Sequence, residues 1–174
     1  MKRSPAELSP ADQHRLRAAE GWLGLGDPAS ARAELDDMDL DSQGHPAVLR
    51  VRWWLASVVR DWQEAAEAAA RLTVLCPDDG LAWLHYSFAL HELKRTVEAR
   101  DELLAVADRF PKDGTMRYNL ACYECCLGNL ERARAWLRVA FRMDANGDLR
   151  RAAREDPDLT ALWNELPGLE SGPS

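Results

Sequence analysis

The chain repeats itself every 34 residues, and that period limits what it can fold into more than any single motif does. Ala31, Ala65, Ala99 and Ala133 all stand at this spacing. A fixed period of this length means stacked supersecondary units, so the register must be found before any motif is weighed. Alanine is abundant, and other columns have to support the period. Pro77 and Pro111 are 34 apart, and each closes an apolar helical run, RLTVLCP and LLAVADRFP, where proline cannot continue a helix. Leu35, Leu103 and Leu137 share a second column, with Ala69 as its small member. Gly26 and Gly128 share a third, each in a Leu-Gly-Asp or Leu-Gly-Asn step that suits a tight turn between helices. The units run 12–45, 46–79, 80–113 and 114–147.

Within a unit, two helical stretches of about fourteen residues flank a short turn, as in LAWLHYSFALHELK followed by RTVEARDELLAVADRF. Alanine, leucine, arginine and glutamate dominate, β-branched residues are sparse, and no alternation of apolar and polar residues persists long enough for a strand. The chain reads as all-α. Helices of this length are marginal alone in water, so their stability must come from packing within a pair and stacking between pairs. The recurrent alanine on the second helix lets the two backbones approach closely, where a large side chain would hold them apart.

These features resemble the tetratricopeptide repeat. That family's 34-residue pattern has an aromatic early in the first helix, a small pair in mid-helix, a turn glycine, an alanine in the second helix and a closing proline. Unit three supplies Trp83, Ala99 and Pro111, and unit four supplies Leu120 with Ala121, Gly128 and Ala133. The resemblance implies a right-handed α-solenoid of antiparallel helix pairs. It forms one domain over 11–166, with capping helices in 148–166 and flexible tails at 1–10 and 167–174. Two departures stand out. Unit two has Trp53 where the family prefers a small residue and Ala56 where it prefers an aromatic. Unit one lacks the early aromatic and the closing proline, and the DLDSQGHP segment after it is expected to be irregular. In 148–166, Asp156 is placed to cap a helix beginning at Pro157, and Leu149, Leu159, Leu162 and Trp163 are candidates to cover the last pair.

At 174 residues the chain can bury a core without disulfides. Its net charge of −7 argues against nucleic acid or an anionic membrane as partner. The N-terminal MKRSPAELSPADQHR lacks the apolar run of a signal peptide, and no segment approaches the roughly 20 apolar residues of a membrane span. A cytoplasmic location is the expectation. Four cysteines, three of them crowded into one segment, do not form a disulfide framework, so reduced thiols are expected.

The crowded segment, NLACYECCLGN, poses the main chemical question. At about 100° per residue, Cys122, Cys125 and Cys126 share one helical stripe, while Arg117, Leu120, Ala121 and Glu124 lie opposite. In the related family the second stripe faces the partner helix and the first faces the concave groove. Three thiols at this spacing can converge on a soft metal, with His91, 34 residues before Cys125, as the best additional donor. Structural zinc sites, however, usually draw ligands from separate turns, and free cysteine commonly serves as a small hydrophobe. No metal or cofactor is assigned, and Cys122, Cys125, Cys126 and His91 stand only as candidates. Cys76 ends a helix in another unit. His85 and His91 are too far round their helix to form an adjacent-turn pair, and His14 and His45 have no evident partner. Asp144-Ala-Asn146-Gly147-Asp148 lacks the spacing of a calcium loop and reads as a turn. No phosphate loop, nucleophile elbow or zinc-protease motif occurs, so the chain is not read as an enzyme.

The family's concave positions fall on Arg50, Trp54 and Ser57, then Leu84, His85, Phe88 and His91, then Tyr118, Asn119, Cys122 and Cys125. Aromatics mixed with hydrogen-bonding groups make a surface suited to an extended peptide or a partner helix. The cationic clamp of members that bind chaperone tails is missing, since its positions hold Leu16, Glu20, Val51, Leu81 and His85 in one register and Arg50, Trp54, His85, Thr115 and Asn119 in the other. The leading expectation is a non-enzymatic scaffold that binds a protein or peptide in this groove. A chaperone-like holder of a secretion substrate and a thiol-based metal or redox protein are the alternatives.

Overall fold

The computed structural model describes residues 7–170. Of the expected tails at 1–10 and 167–174, residues 1–6 and 171–174 lie outside the described residues. Among these, the regular structure is all helical. The longer helices come first: α1 (Pro10–Gly24) packs with α2 (Pro28–Asp36), α3 (Pro46–Val59) with α4 (Trp62–Leu75), and α7 (Gly114–Cys126) with α8 (Leu130–Met143), while α5 (Gly80–Glu92) and α6 (Thr96–Val106) follow one another in the same order along the chain. Then follow α9 (Asp148–Ala153), a 3-10 stretch Pro157–Glu165 and α10 (Leu166–Glu170), with shorter 3-10 pieces at Leu40–Gly44 and Ala107–Arg109. The period is built into the backbone. The second helices start at Pro28, Trp62, Thr96 and Leu130, and the last three first helices at Pro46, Gly80 and Gly114, each 34 residues after the one before.

The turn inside each pair explains why this spacing holds. Gly26, Arg60, Lys94 and Gly128 occupy one column, and all four have positive φ, at 78°, 59°, 64° and 78°. Each follows a first helix, and the next residue reaches back to close it. The N–H groups of Asp27, Asp61, Arg95 and Asn129 donate to the carbonyls of Trp22, Ala56, Leu90 and Glu124 at 2.8 to 2.9 Å. This pattern satisfies carbonyls that a helix end leaves orphaned, and it requires the left-handed residue that glycine adopts most easily. The same residues then open the next helix: the Asp27 and Asp61 carboxylates accept from the N–H groups of Ser30 and Glu64, each at 3.0 Å.

The chain divides after Ala89, inside α5, into two compact units. In the first, Leu16, Leu23, Leu35, Val48, Val51 and Leu55 form one buried cluster with Ala19 and Ala31. Ala31 and Ala65, two members of the alanine column, are fully buried, as close helix contact demands. The irregular segment after α2 is pinned, not loose. Buried Asp12 accepts from the Ser42 hydroxyl at 2.6 Å and the Asp39 N–H at 3.3 Å, and Gln43 Nε2 donates to the Leu35 carbonyl at 2.9 Å. Trp53, the large-for-small departure, is accommodated beside Leu49, Ala68, Leu72 and Ala82, while Ala56 is fully buried.

In the second unit α7 packs on α6 and α8, and Met116, Leu120, Tyr123, Leu137 and Phe141 are fully or almost fully buried with Ala99 and Ala133. The opposite stripe faces the partner helices as expected. Arg117 is buried and donates to the carbonyls of Ala107 at 2.9 Å and Phe110 at 2.5 Å, and buried Glu124 accepts from Asn129 Nδ2 at 2.6 Å. The Asp144–Asp148 segment is a turn: the Asp144 carboxylate accepts from the N–H of Arg150 and pairs with its guanidinium, and Gly147 has φ 76°. Of the four candidates for the terminal cover, Leu159 and Leu162 are fully buried, Leu149 is half-buried, and Trp163 stays 41% exposed while donating to the Asp156 carbonyl at 3.1 Å. Residues 167–170, expected in the tail, instead end α10, and its Leu166 and Leu169 are buried beside α8.

Candidate functional site

The candidate residues fall at equivalent positions of the first helices, and the two units treat those positions differently. In the first unit they lie on α3 and α5. Trp54 is 38% exposed, Phe88 is 37% exposed, and Val58 and Leu81 on the same helices are also exposed. Around these aromatics the polar groups are fixed. Arg50 pairs with Asp79 at 2.8 Å, the Ser57 hydroxyl donates to the Trp54 carbonyl at 2.7 Å, and Phe88 meets the edge of Trp62 with centroids 5.5 Å apart. Leu84 is buried, so it forms the floor of the stripe instead of its surface. His85 lies flat on Trp53, with ring centroids 3.4 Å apart and planes 4° apart. Burial against this ring drives its pKa down to about 4, with Asp79 opposing and Arg50 adding to the shift, so the imidazole is neutral at neutral pH.

In the second unit the stripe is occupied by the chain itself. The 3-10 stretch Pro157–Glu165 lies along α7, and beneath it Tyr118, Cys122, Cys125 and His91 are all buried. These positions, expected to line the concave groove, are therefore covered by the chain's own segment; only Asn119 of that set on α7 stays half-buried. Asp156 anchors the segment. Its Oδ2 accepts from the Tyr118 hydroxyl at 2.6 Å and from the Cys122 thiol at 3.5 Å, and its Oδ1 accepts from the Asp158 N–H at 3.0 Å. At the far end Arg134 on α8 grips Glu165 through two contacts of 2.6 and 2.8 Å, a bidentate geometry that fixes both planes. Sequence reading placed Asp156 only as a helix cap. Its contact with Tyr118 spans 38 residues, a separation that helical periodicity does not report.

Burial sets the chemistry of the thiols. It raises Cys122 well above an ordinary thiol, with the Asp156 charge adding to the shift; it also raises Cys125, and it pushes Cys126 up to about 12 with the help of Asp158. Tyr118 is raised strongly by the same burial, reinforced by Cys122 and Asp156. Protonated thiols are weak nucleophiles, so this cluster is unlike an activated-cysteine site. Of the four metal candidates, His91 and Cys126 come together, and they do so with a residue the sequence reading did not select, Asp158. Cys122 turns to Asp156 instead, and Cys125 meets the backbone of Ala161.

The repeated pairs, with their buried alanine column and shared turn, define an all-α protein with the tetratricopeptide-repeat fold, an α-solenoid of antiparallel helix pairs. Solved structures of MamA share this fold. MamA 41-end from Desulfovibrio magneticus RS-1 superposes with a TM-score of 0.73 at 20% identity, covering 97% of this chain and 100% of that one. The MamA RS-1 ArsTM double mutant gives 0.73 at 19% over 95% and 97%, and MamA AMB-1 gives 0.65 at 17% over 94% and 93%. No family model matches the chain, and no curated protein matches it. Among the described residues, no helix is long and apolar enough to cross a membrane.

Proposed function

We propose that this chain is a non-enzymatic, cytoplasmic scaffold that binds a segment of a partner protein on the α3–α5 stripe. Arg50, Trp54, Ser57 and Phe88 would make the contacts above the Leu84 floor. The observation that carries this reading is the chain's own behaviour in its second unit, where the equivalent stripe of α7 already holds an irregular segment by burying leucines and capturing a carboxylate. In the first unit the same columns present Trp54 and Phe88 without such a cover among the described residues. Aromatic side chains bury much apolar area while losing little rotamer entropy, and they dominate binding hot spots. The fold shared with MamA is compatible with a binding role, and the acidic net charge fits a partner other than nucleic acid or an anionic membrane.

A displayed library of random peptides selected on the full chain tests the proposal. Enrichment of a common apolar motif is expected, with binding lost in Trp54→Ala/Phe88→Ala while circular dichroism stays unchanged. Equal binding by the double variant would refute the assignment of this stripe.

A further inference from the structure

Three donor atoms on three separate elements converge where the covering segment meets the ends of α5 and α7. His91 stands in the last turn of α5, Cys126 is the final residue of α7, and Asp158 belongs to Pro157–Glu165. An imidazole nitrogen, a thiol sulfur and a carboxylate oxygen from these residues all lie within 4.8 Å of one another. His91 Nε2 is 3.0 Å from Asp158 Oδ2, and Cys126 Sγ lies 3.8 Å from the Asp158 carbonyl. We propose that this triad is a binding site for a zinc-type divalent cation, which clasps the covering segment onto the two helix ends.

The chemistry and the surroundings both fit. Zinc takes nitrogen, sulfur and carboxylate donors at about 2.0 to 2.3 Å in a tetrahedron, whose corners lie roughly 3.3 to 3.8 Å apart. The three donors therefore need shifts of only about 1 Å to surround an ion. Calcium and magnesium demand oxygen ligands and are excluded by the imidazole and thiol. With Nε2 on the metal, the other ring nitrogen must be held by an outer partner, and His91 Nδ1 is already 3.0 Å from the Thr96 hydroxyl. Cys126 is exposed, which leaves an entry path and a fourth position open to water. On binding, the Cys126 thiol loses its proton to solvent and its sulfur forms the metal bond; nothing is oxidised or reduced. The donors come from three elements, not from one helix, which answers the objection to a site built from the crowded cysteines alone.

Titration of the reduced full-length chain with Co²⁺ supplies the test. One equivalent should produce thiolate-to-cobalt charge-transfer absorption, and one equivalent of Zn²⁺ should bleach it. Cys126→Ser, at an exposed position, should abolish the band, and the distant Cys76→Ser should keep it. Asp158→Asn should weaken Zn²⁺ competition by at least ~10-fold, the low end of what losing even an outer-shell partner costs. Absence of the band at one equivalent, its survival in Cys126→Ser, or unchanged Zn²⁺ affinity in Asp158→Asn would each overturn the site and leave the triad a hydrogen-bonded clasp. Circular dichroism of both variants guards against misfolding.

Discussion

Gly21 and Gly26 lie five residues apart, and the same substitution at the two should have opposite signs. A Cβ built on either meets nothing within 4 Å, so steric clash is absent from both. They differ in backbone. Gly21 lies inside α1, whereas Gly26 has φ 78°. In Gly21→Ala the helix gains the propensity difference between the two residues, about 0.8 to 1 kcal/mol. In Gly26→Ala the left-handed conformation costs about 1 to 2 kcal/mol, offset by about 0.4 to 1 kcal/mol of lost freedom in the unfolded chain. The net is a loss of up to about 1.5 kcal/mol, and Gly128→Ala, also with open space and φ 78°, should match it. Arg60→Gly and Lys94→Gly reverse the exchange in the same column. Their gain should be smaller, because a cation at a helix C-terminus is itself worth about 0.3 kcal/mol or more. For a chain of this size 1 kcal/mol moves Tm by about 2 to 4 °C. Calorimetry should therefore show Gly21→Ala and Arg60→Gly raising Tm and Gly26→Ala and Gly128→Ala lowering it. If Gly21→Ala and Gly26→Ala shift Tm in the same direction, the turn column does not set the period.

Other perturbations read different parts of the structure. His85 has a folded pKa of about 4, below its ordinary 6.5, so between these values the unfolded chain binds the extra proton. Stability should be full above about pH 6.5 and fall as pH drops toward 4; His85→Phe should flatten that slope in urea unfolding midpoints. Leu162→Ala removes a fully buried side chain and should cost about 2 to 5 kcal/mol, visible as a lower urea midpoint. Cys122→Phe overpacks a buried position beneath the covering segment and should cost at least about 1 to 3 kcal/mol. It should also speed alkylation of Cys125, which thiol labelling followed by mass spectrometry would detect; unchanged labelling would count against the overpacking argument.

Much of the fold was legible because its physical cause recurs. Ala31, Ala65, Ala99 and Ala133 are each fully buried, and in α1–α2, α3–α4 and α7–α8 the reason is the close approach of paired helices, so one spacing reported a recurring contact. The turn column was half visible. Gly26 and Gly128 announce it, but Arg60 and Lys94 adopt the same left-handed backbone with side chains that give no sign of it. The candidate site was legible only as a stripe. That Arg50, Trp54 and Ser57 share a face follows from helical geometry, as it does for Tyr118, Cys122 and Cys125. What lies over the face depends on contacts such as Tyr118 to Asp156 and His91 to Asp158, spanning 38 and 67 residues, and no local pattern encodes them. The helical ending of residues 167–170 is not legible in the sequence for a related reason: the Pro-Gly step in ELPGLE looks like a stop, yet proline is tolerated in the first turn of a helix, and Leu169 finds a buried place.

The columns themselves suggest why one stripe is covered and the other is not. Trp54, Phe88 and Cys122 share one column, and their exposures are 38%, 37% and 4%. Arg50, Leu84 and Tyr118 share another, and Ser57, His91 and Cys125 a third. Where the first column carries a small thiol, a backbone carrying Leu159 and Leu162 can lie close to the helix, and the neighbouring tyrosine can reach Asp156 at 2.6 Å. Where it carries tryptophan or phenylalanine, the same approach is blocked by a ring that must either project or be covered by a differently shaped segment. The size of one side chain per repeat therefore separates positions that suit the chain's own C-terminal segment from positions that, under the proposed role, would take another partner. Under the proposed binding role, discrimination between partners would lie in the 54/88/122 column more than in charge, because Arg50 on the exposed stripe is already paired with Asp79.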